Sequence, residues 1–155
     1  YMALKNAKLL IKAGADMVKI EGDNDIIDVI KHLSVNKICV CGHIGCMPQI
    51  NKIKNLPNED LLTKAKNLEE AGLKMLVMSM TSESDDQTIT NQLSIPTISF
   101  RSSPFCNGEV EVLYDLIGIS SSPVFSVQKE TGKIEYLTIL DKIENFIKKI
   151  HTRKN

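Results

Sequence analysis

Between positions 3 and 13 the apolar residues Leu4, Ala7, Leu10 and Ile11 recur at helical spacing, and Gly14 follows where a helix closes on a left-handed residue. The pattern predicts a helix with its own stop signal. A short apolar strand over 17–20 comes next, then a helix over 23–33 with Ile26, Ile27, Val29 and Ile30 on its core side, then a buried strand over 38–41. The same unit returns as a helix over 62–72 and a strand over 75–78. Ala7 and Ala65, Lys8 and Lys66, Ala13 and Ala71, Gly14 and Gly72, and Met17 and Met75 all share one offset of 58 (65 − 7). A constant offset across a helix stop and a strand start predicts successive layers of one α/β architecture.

Further elements follow: a helix over 85–93, a strand over Thr97–Phe100 opening after Pro96, a strand over 110–113, and a closing amphipathic helix over 137–150. The run 120–123 (SSSP) reads as a loop, and the stretch onward to Gly132 has no strong period. Neither a linker nor a domain boundary interrupts the chain, so 1–155 reads as a single domain. Parallel βα repeats build either an open doubly wound sheet or a closed barrel. No GxGxxG follows the first strand, which favours the barrel, with its chemistry at the C-terminal ends of the strands.

Composition narrows the function. The 155 residues are 43% hydrophobic and 25% charged, enough for one core, and 19 basic residues balance 19 acidic ones. No global charge draws the molecule to nucleic acid or to an anionic membrane. The basic end KKIHTRKN fits a helix C-terminus, where cations meet the negative pole of the dipole. There is no long apolar run and no signal-peptide core, so a cytosolic location is expected. Cys39, Cys41, Cys46 and Cys106 form no CxxC pair, so packing rather than zinc is expected of most of them. Tyr1 is not a translation start, which points to a longer chain or to removal of something upstream.

Three strand ends gather polar groups: Lys19 and Glu21 after the first, His43 after the second and Ser79 after the third. Strand alternation puts Lys19 and Glu21 on one face, about 6–7 Å apart along it. An ion pair at the strand end explains them without any function; alternatively, Glu21 can bind a hard cation and Lys19 a substrate carboxylate. His43 lies in a glycine-rich run with Gly45, Pro48 and Gln49, where backbone can approach a ligand closely; a lone histidine is as readily a hydrogen-bonded structural residue, and both readings stand.

The runs AGADMVKIEG (13–22), VCGHIGCMPQ (40–49) and SIPTISFRSSPFCNGEVEVLYDLIGI (94–119) resemble, in order and spacing, the ketopantoate hydroxymethyltransferase family across nearly the whole chain. The resemblance implies a (β/α)₈ barrel of which this chain covers about the last five βα units, 155 of the roughly 250 residues usual for such a barrel. It implies transfer of a hydroxymethyl group from methylenetetrahydrofolate to the α-keto acid α-ketoisovalerate, with Mg²⁺, on the route to pantothenate. By the same resemblance Lys19 contacts the keto acid, Glu21 belongs to the magnesium environment and His43 shapes the substrate pocket. A metal held by the keto acid acidifies the neighbouring C–H, and a base removes the proton.

Three positions depart from the family pattern. Where the family places a general-base glutamate (LExVP), this chain has Ser79, with Glu83 a substitute beyond the strand end. The family's glycine-rich strand end IGIGAG is replaced by residues 98–103, so that Phe100 and Arg101 are expected to fill the pocket. The family's glycine-rich loop after the PQ motif is replaced by the shorter run 51–59. Two open sheet edges would need covering, so the expected partners are further copies of the chain or a complementary N-terminal segment. The alternative function is an inactive remnant or scaffold subunit of the same family.

Overall fold

The computed structural model describes residues 2–22, 26–46, 60–100, 103–117 and 138–152. Helix α1 (Met2–Lys12) buries Ala7, with Leu4 and Ile11 against the same core. It ends in a double turn in which Gly14 N–H donates to Ile11 C=O (3.0 Å) and Ala15 N–H to Leu10 C=O (3.1 Å), with Gly14 at φ 104°. These bonds satisfy carbonyls that the helix itself leaves without donors. α3 (Leu61–Glu70) closes identically, Gly72 donating to Glu69 (2.8 Å) and Leu73 to Leu68 (3.2 Å), again with φ 104° at the glycine. The repeat at offset 58 is therefore structural. α2 (Ile26–Val35) uses the same closure with Lys37 in the left-handed position at φ 59°.

The strands are β1 (Val18–Lys19), β2 (Val40–Gly45), β3 (Met75–Ser79), β4 (Thr97–Phe100) and β5 (Gly108–Val110). All pair in parallel, in the order β1-β2-β3-β4-β5. The order never reverses, so among the described strands there is no switch-point crevice of the doubly wound kind. α2 and α3 pack on β2, α2 on α3 and α3 on α4 (Glu83–Gln92), which sets these helices on one face of the sheet, as the usual right-handed parallel crossover does. The core lies there, with Ile30, Leu33, Val40, Ile44, Leu68, Leu76, Met78 and Ile89 almost wholly excluded from solvent. Lys19, Cys41, His43, Val77 and Ser79 alternate onto the other face.

Four expectations need correction. His43 does not follow the second strand but lies within it, because pairing with β3 continues through His43↔Val77 to Gly45↔Ser79. The glycines there serve packing: a Cβ on Gly42 would meet the Leu73 side chain at 2.9 Å, and one on Gly45 the Ser79 carbonyl oxygen at 2.1 Å. Ser79 likewise ends β3 instead of following it. The predicted strand over 110–113 falls instead at Gly108–Val110, and Leu113–Leu116 forms the short helix α5. β5 is displaced toward the N-terminus because residues 103–107, which hold no helix, bring the chain back to the start of β4. Asn107 holds that return by accepting from Thr97 N–H (2.9 Å), while Cys106 is buried in the core.

Helix α4 starts two residues before its expected boundary, on an N-cap Ser82 that accepts from Asp85 N–H at 3.1 Å. α6 (Ile139–Thr152) meets the rest of the chain through Lys149 to Glu109 and through Lys142 to the Ile117 carbonyl, with no side chain of its own fully buried. The runs 47–59, 101–102 and 118–137, which hold Pro48, Gln49, Arg101 and the SSSP loop, lie outside the described residues.

Candidate active site

β1 and β2 deliver the three sequence-predicted polar residues to one place. Lys19 pairs in register with Cys41, which sets His43 one alternation further along the same face. Glu21, two residues beyond Lys19, returns to that face. Its Oε1 accepts from Lys19 Nζ and lies 2.9 Å from His43 Nδ1, while Lys19 Nζ is 3.4 Å from the same ring nitrogen. The ion pair expected of an ordinary strand end is thus present, and the histidine is added to it.

Burial grades across the cluster. The Lys19 side chain is 41% exposed, Glu21 28% and His43 9%. The Lys19 hydrogen bond holds the Glu21 carboxyl below its usual range; partial burial opposes this and His43 adds to it. Burial pushes the His43 pKa down, and the Glu21 carboxylate only partly offsets that. A neutral ring beside a carboxylate carries its proton on Nδ1 and donates it to Glu21. Nε2 is then a bare acceptor, buried and with no hydrogen-bond partner among the described residues. Sequence reasoning missed Cys41, whose buried thiol faces Lys19; burial raises its pKa and the Lys19 cation opposes the rise. The β1–β2 register that reveals it is not written in the local pattern.

Ser79 closes β3 on the same face as His43, almost fully buried, opposite Gly45 and Phe100. Its carbonyl accepts from Cys46 N–H at 2.8 Å. A diagonal step on adjacent strands puts Ser79 and His43 roughly 8 Å apart at Cα. Glu83 opens α4 and, with Phe100, lines a cleft of about 190 Å³ to whose lining neither Ser79 nor His43 belongs.

The matching family profile is that of ketopantoate hydroxymethyltransferase, and the match runs over residues 1–154. The chain belongs to the ketopantoate hydroxymethyltransferase family. Relatives named 3-methyl-2-oxobutanoate hydroxymethyltransferase include one from Staphylothermus marinus, 41% identical over 76% of this chain and 46% of its own length. One from Buchnera aphidicola subsp. Acyrthosiphon pisum (strain 5A) is 36% identical over 95% of this chain and 57% of its own. One from Saccharolobus solfataricus is 39% identical over 80% and 50%. The chain spans about half the length of these relatives.

Magnesium takes six oxygen ligands in a near-octahedral shell. Glu21 offers one carboxylate, with Oε1 already shared between Lys19 and His43, and no group of three or more His, Cys, Asp or Glu residues suited to a metal occurs among the described residues. These residues fit one place in a magnesium shell and do not make up a site. No described helix is long and apolar enough to cross a membrane.

Proposed function

We propose that this chain forms the keto-acid side of a hydroxymethyltransferase site, as about the last five βα units of a (β/α)₈ barrel that make one domain over 1–155. The observation that carries the reading is the convergence of Lys19 and His43 on one oxygen of Glu21, at the C-terminal side of two adjacent parallel strands. That is where barrel enzymes assemble their chemistry.

Each residue has a physical task. Lys19, the most exposed of the three, is the cation that a substrate carboxylate would meet. Glu21 fixes the imidazole ring, and its second oxygen is the ligand it can offer Mg²⁺, with the remaining ligands supplied by a complementary N-terminal segment or another copy of the chain. A bound Mg²⁺ would polarise the keto group of α-ketoisovalerate. His43 presents Nε2 as an acceptor to a hydroxyl or hydrated oxygen of the ligand. Methylenetetrahydrofolate would be the one-carbon donor and ketopantoate the product; the setting is cytosolic, without membrane or nucleic-acid partners.

A second reading, a binding or scaffold subunit without turnover, is favoured by one observation. Ser79 occupies the position matching the family's base, and a buried hydroxyl with no activating base does not deprotonate carbon near neutral pH; the missing proton transfer is worth about 10²–10⁴-fold. Two experiments separate the readings. Calorimetry of the chain with α-ketoisovalerate, with and without Mg²⁺, should give metal-dependent binding that Lys19→Ala weakens. An assay for ketopantoate after mixing with the N-terminal half of a relative then decides turnover. No binding sinks both readings, and binding without product leaves the scaffold.

A further inference from the structure

We infer that the Lys19–Glu21–His43 site, with no metal bound, selects a short hydroxy acid over the keto acid of the same skeleton: Lys19 meets the carboxylate and His43 Nε2 accepts a hydrogen bond from the hydroxyl. The inference rests on the reading of Lys19 as the contact of a substrate carboxylate and adds what the ligand must donate.

The contacts of the ring fix its roles. Glu21 Oε1 lies 2.9 Å from His43 Nδ1, and Lys19 Nζ lies 3.4 Å from the same nitrogen. The carboxylate is nearer and can only accept, so a neutral ring carries its proton on Nδ1. The two ring nitrogens diverge, so Nε2 is turned away from both of these residues. It is an acceptor, buried and without a hydrogen-bond partner among the described residues.

The neighbours on this face of the sheet do not supply the missing donor. Val77, in register with His43 on β3, is apolar. Cys41, one alternation back along β2, gives its thiol to the Gly42 carbonyl at 3.6 Å. The Ser79 hydroxyl, a diagonal step away, is not bonded to Nε2. Lys19 stands at the other side of the ring with its side chain 41% exposed, and Glu21 takes one of its three N–H donors. A cation and a bare acceptor on either side of one imidazole are within reach of one small molecule.

A keto oxygen has no proton to give. Set against Nε2 it opposes one lone pair to another, whereas a hydroxyl donates there. A site that hydrogen-bonds a hydroxyl rejects the analogue lacking it, because the buried polar group is then left unpaired.

Calorimetry of the 155-residue chain in EDTA at pH 8, where an ordinary imidazole is neutral, compares three acids of one skeleton: 2-hydroxy-3-methylbutanoate, α-ketoisovalerate and 3-methylbutanoate. The hydroxy acid should bind about tenfold more tightly than the other two, the gain from pairing a buried acceptor. Lys19→Ala should weaken all three. His43→Phe, which keeps a flat ring and removes the acceptor, should make the three equal. On the parent protein, the ¹⁵N signal of His43 Nε2 should move with the hydroxy acid and stay with 3-methylbutanoate, a readout that serves if His43→Phe loses its fold. Equal binding of the three acids by the parent protein overturns the inference and leaves water as the partner of Nε2. Tighter binding of the keto acid overturns it by placing the ring proton on Nε2. In both cases metal-dependent binding of α-ketoisovalerate would still support the keto-acid reading, whereas no binding of any acid, with or without Mg²⁺, overturns both.

Discussion

His43 Nδ1 lies 2.9 Å from Glu21 Oε1, which ties the residue two places beyond β1 to the middle of β2. This contact opposes the effect of burial on the imidazole: burial lowers its pKa and the carboxylate raises it. Glu21→Gln removes the carboxylate's charge and keeps its shape, so the His43 pKa should fall further. Global stability should change by less than about 1 kcal/mol, because Lys19 and Glu21 are both partly solvated. An NMR titration of the imidazole carbons measures the first effect and urea denaturation the second. A raised or unmoved His43 pKa would show that the two groups do not interact.

The same shifts set a pH dependence. A histidine whose folded pKa lies below its ordinary value, near 6.5, contributes stability that is complete above pH 6.5 and is lost as pH falls toward the folded pKa, because the unfolded chain takes up its proton first. Glu21, lowered from an ordinary 4.5, has the same sign and acts in a lower window. Stability should therefore decline in two stages, first below about pH 6.5 and then below about pH 4.5. Asp60, Glu69 and Asp141 are lowered as well, by hydrogen bonds from Thr63, Ser94 and Thr138, and contribute to the second stage only. In His43→Gln the first stage should vanish while the second remains. Urea midpoints measured from pH 8 to pH 4 distinguish the two stages.

The three helix closures differ in the residue at the left-handed position, and their substitutions should differ in sign. Gly14→Ala meets no atom within 4 Å, so its cost is backbone strain alone, about 1–2 kcal/mol. Gly72→Ala has the same φ and also brings a Cβ to 2.2 Å from Ser34 Oγ, so it should cost more. Lys37, at φ 59°, already carries such strain, and Lys37→Gly should stabilise by about 0.5–1 kcal/mol. Urea denaturation of the three variants gives the ranking, and an equal loss for Gly14 and Gly72 would show that Ser34 yields without cost.

Where glycine occupies that position, the closure was legible in the sequence, which is why the offset joining Gly14 to Gly72 predicted a structural repeat. With Lys37 there it was hidden, because the residue type no longer marks the backbone state. Lys19, Glu21 and His43 were legible as polar breaks in apolar runs. From sequence His43 reads as lying past its strand because glycines flank it, and only the strand pairing to β3 shows that those glycines admit Leu73 and the Ser79 carbonyl. β5 was displaced for a similar reason: the anchor that shortens its connection is Asn107 bonding Thr97, a contact between residues ten apart that leaves no periodic trace. The cleft lined by Glu83 and Phe100 was invisible, since it depends on how α4 packs over β3 and β4.

Ser79 offers the sharpest link between site and fold. Its hydroxyl makes no hydrogen bond among those described, so Ser79→Ala should fall within about 0.5 kcal/mol of the parent protein. Ser79→Glu supplies the residue type that the family resemblance implies there, but it does so at a position 2% exposed, and Lys19, a cation on the same face of the sheet across β2, is already bound to Glu21. A carboxylate left buried without a partner costs about 3–5 kcal/mol. Burial raises the pKa of such a group, so its penalty is full above the folded pKa and shrinks as pH falls toward the unfolded value. Measured against Ser79→Gln at each pH, which cancels both the added volume and the parent protein's acid sensitivity, the gap should narrow between pH 7 and pH 5. A constant gap would mean that volume alone disfavours glutamate. No gap at pH 7 would mean that a carboxylate at this position is compensated, so that Ser79→Glu becomes the variant in which to look for restored proton abstraction.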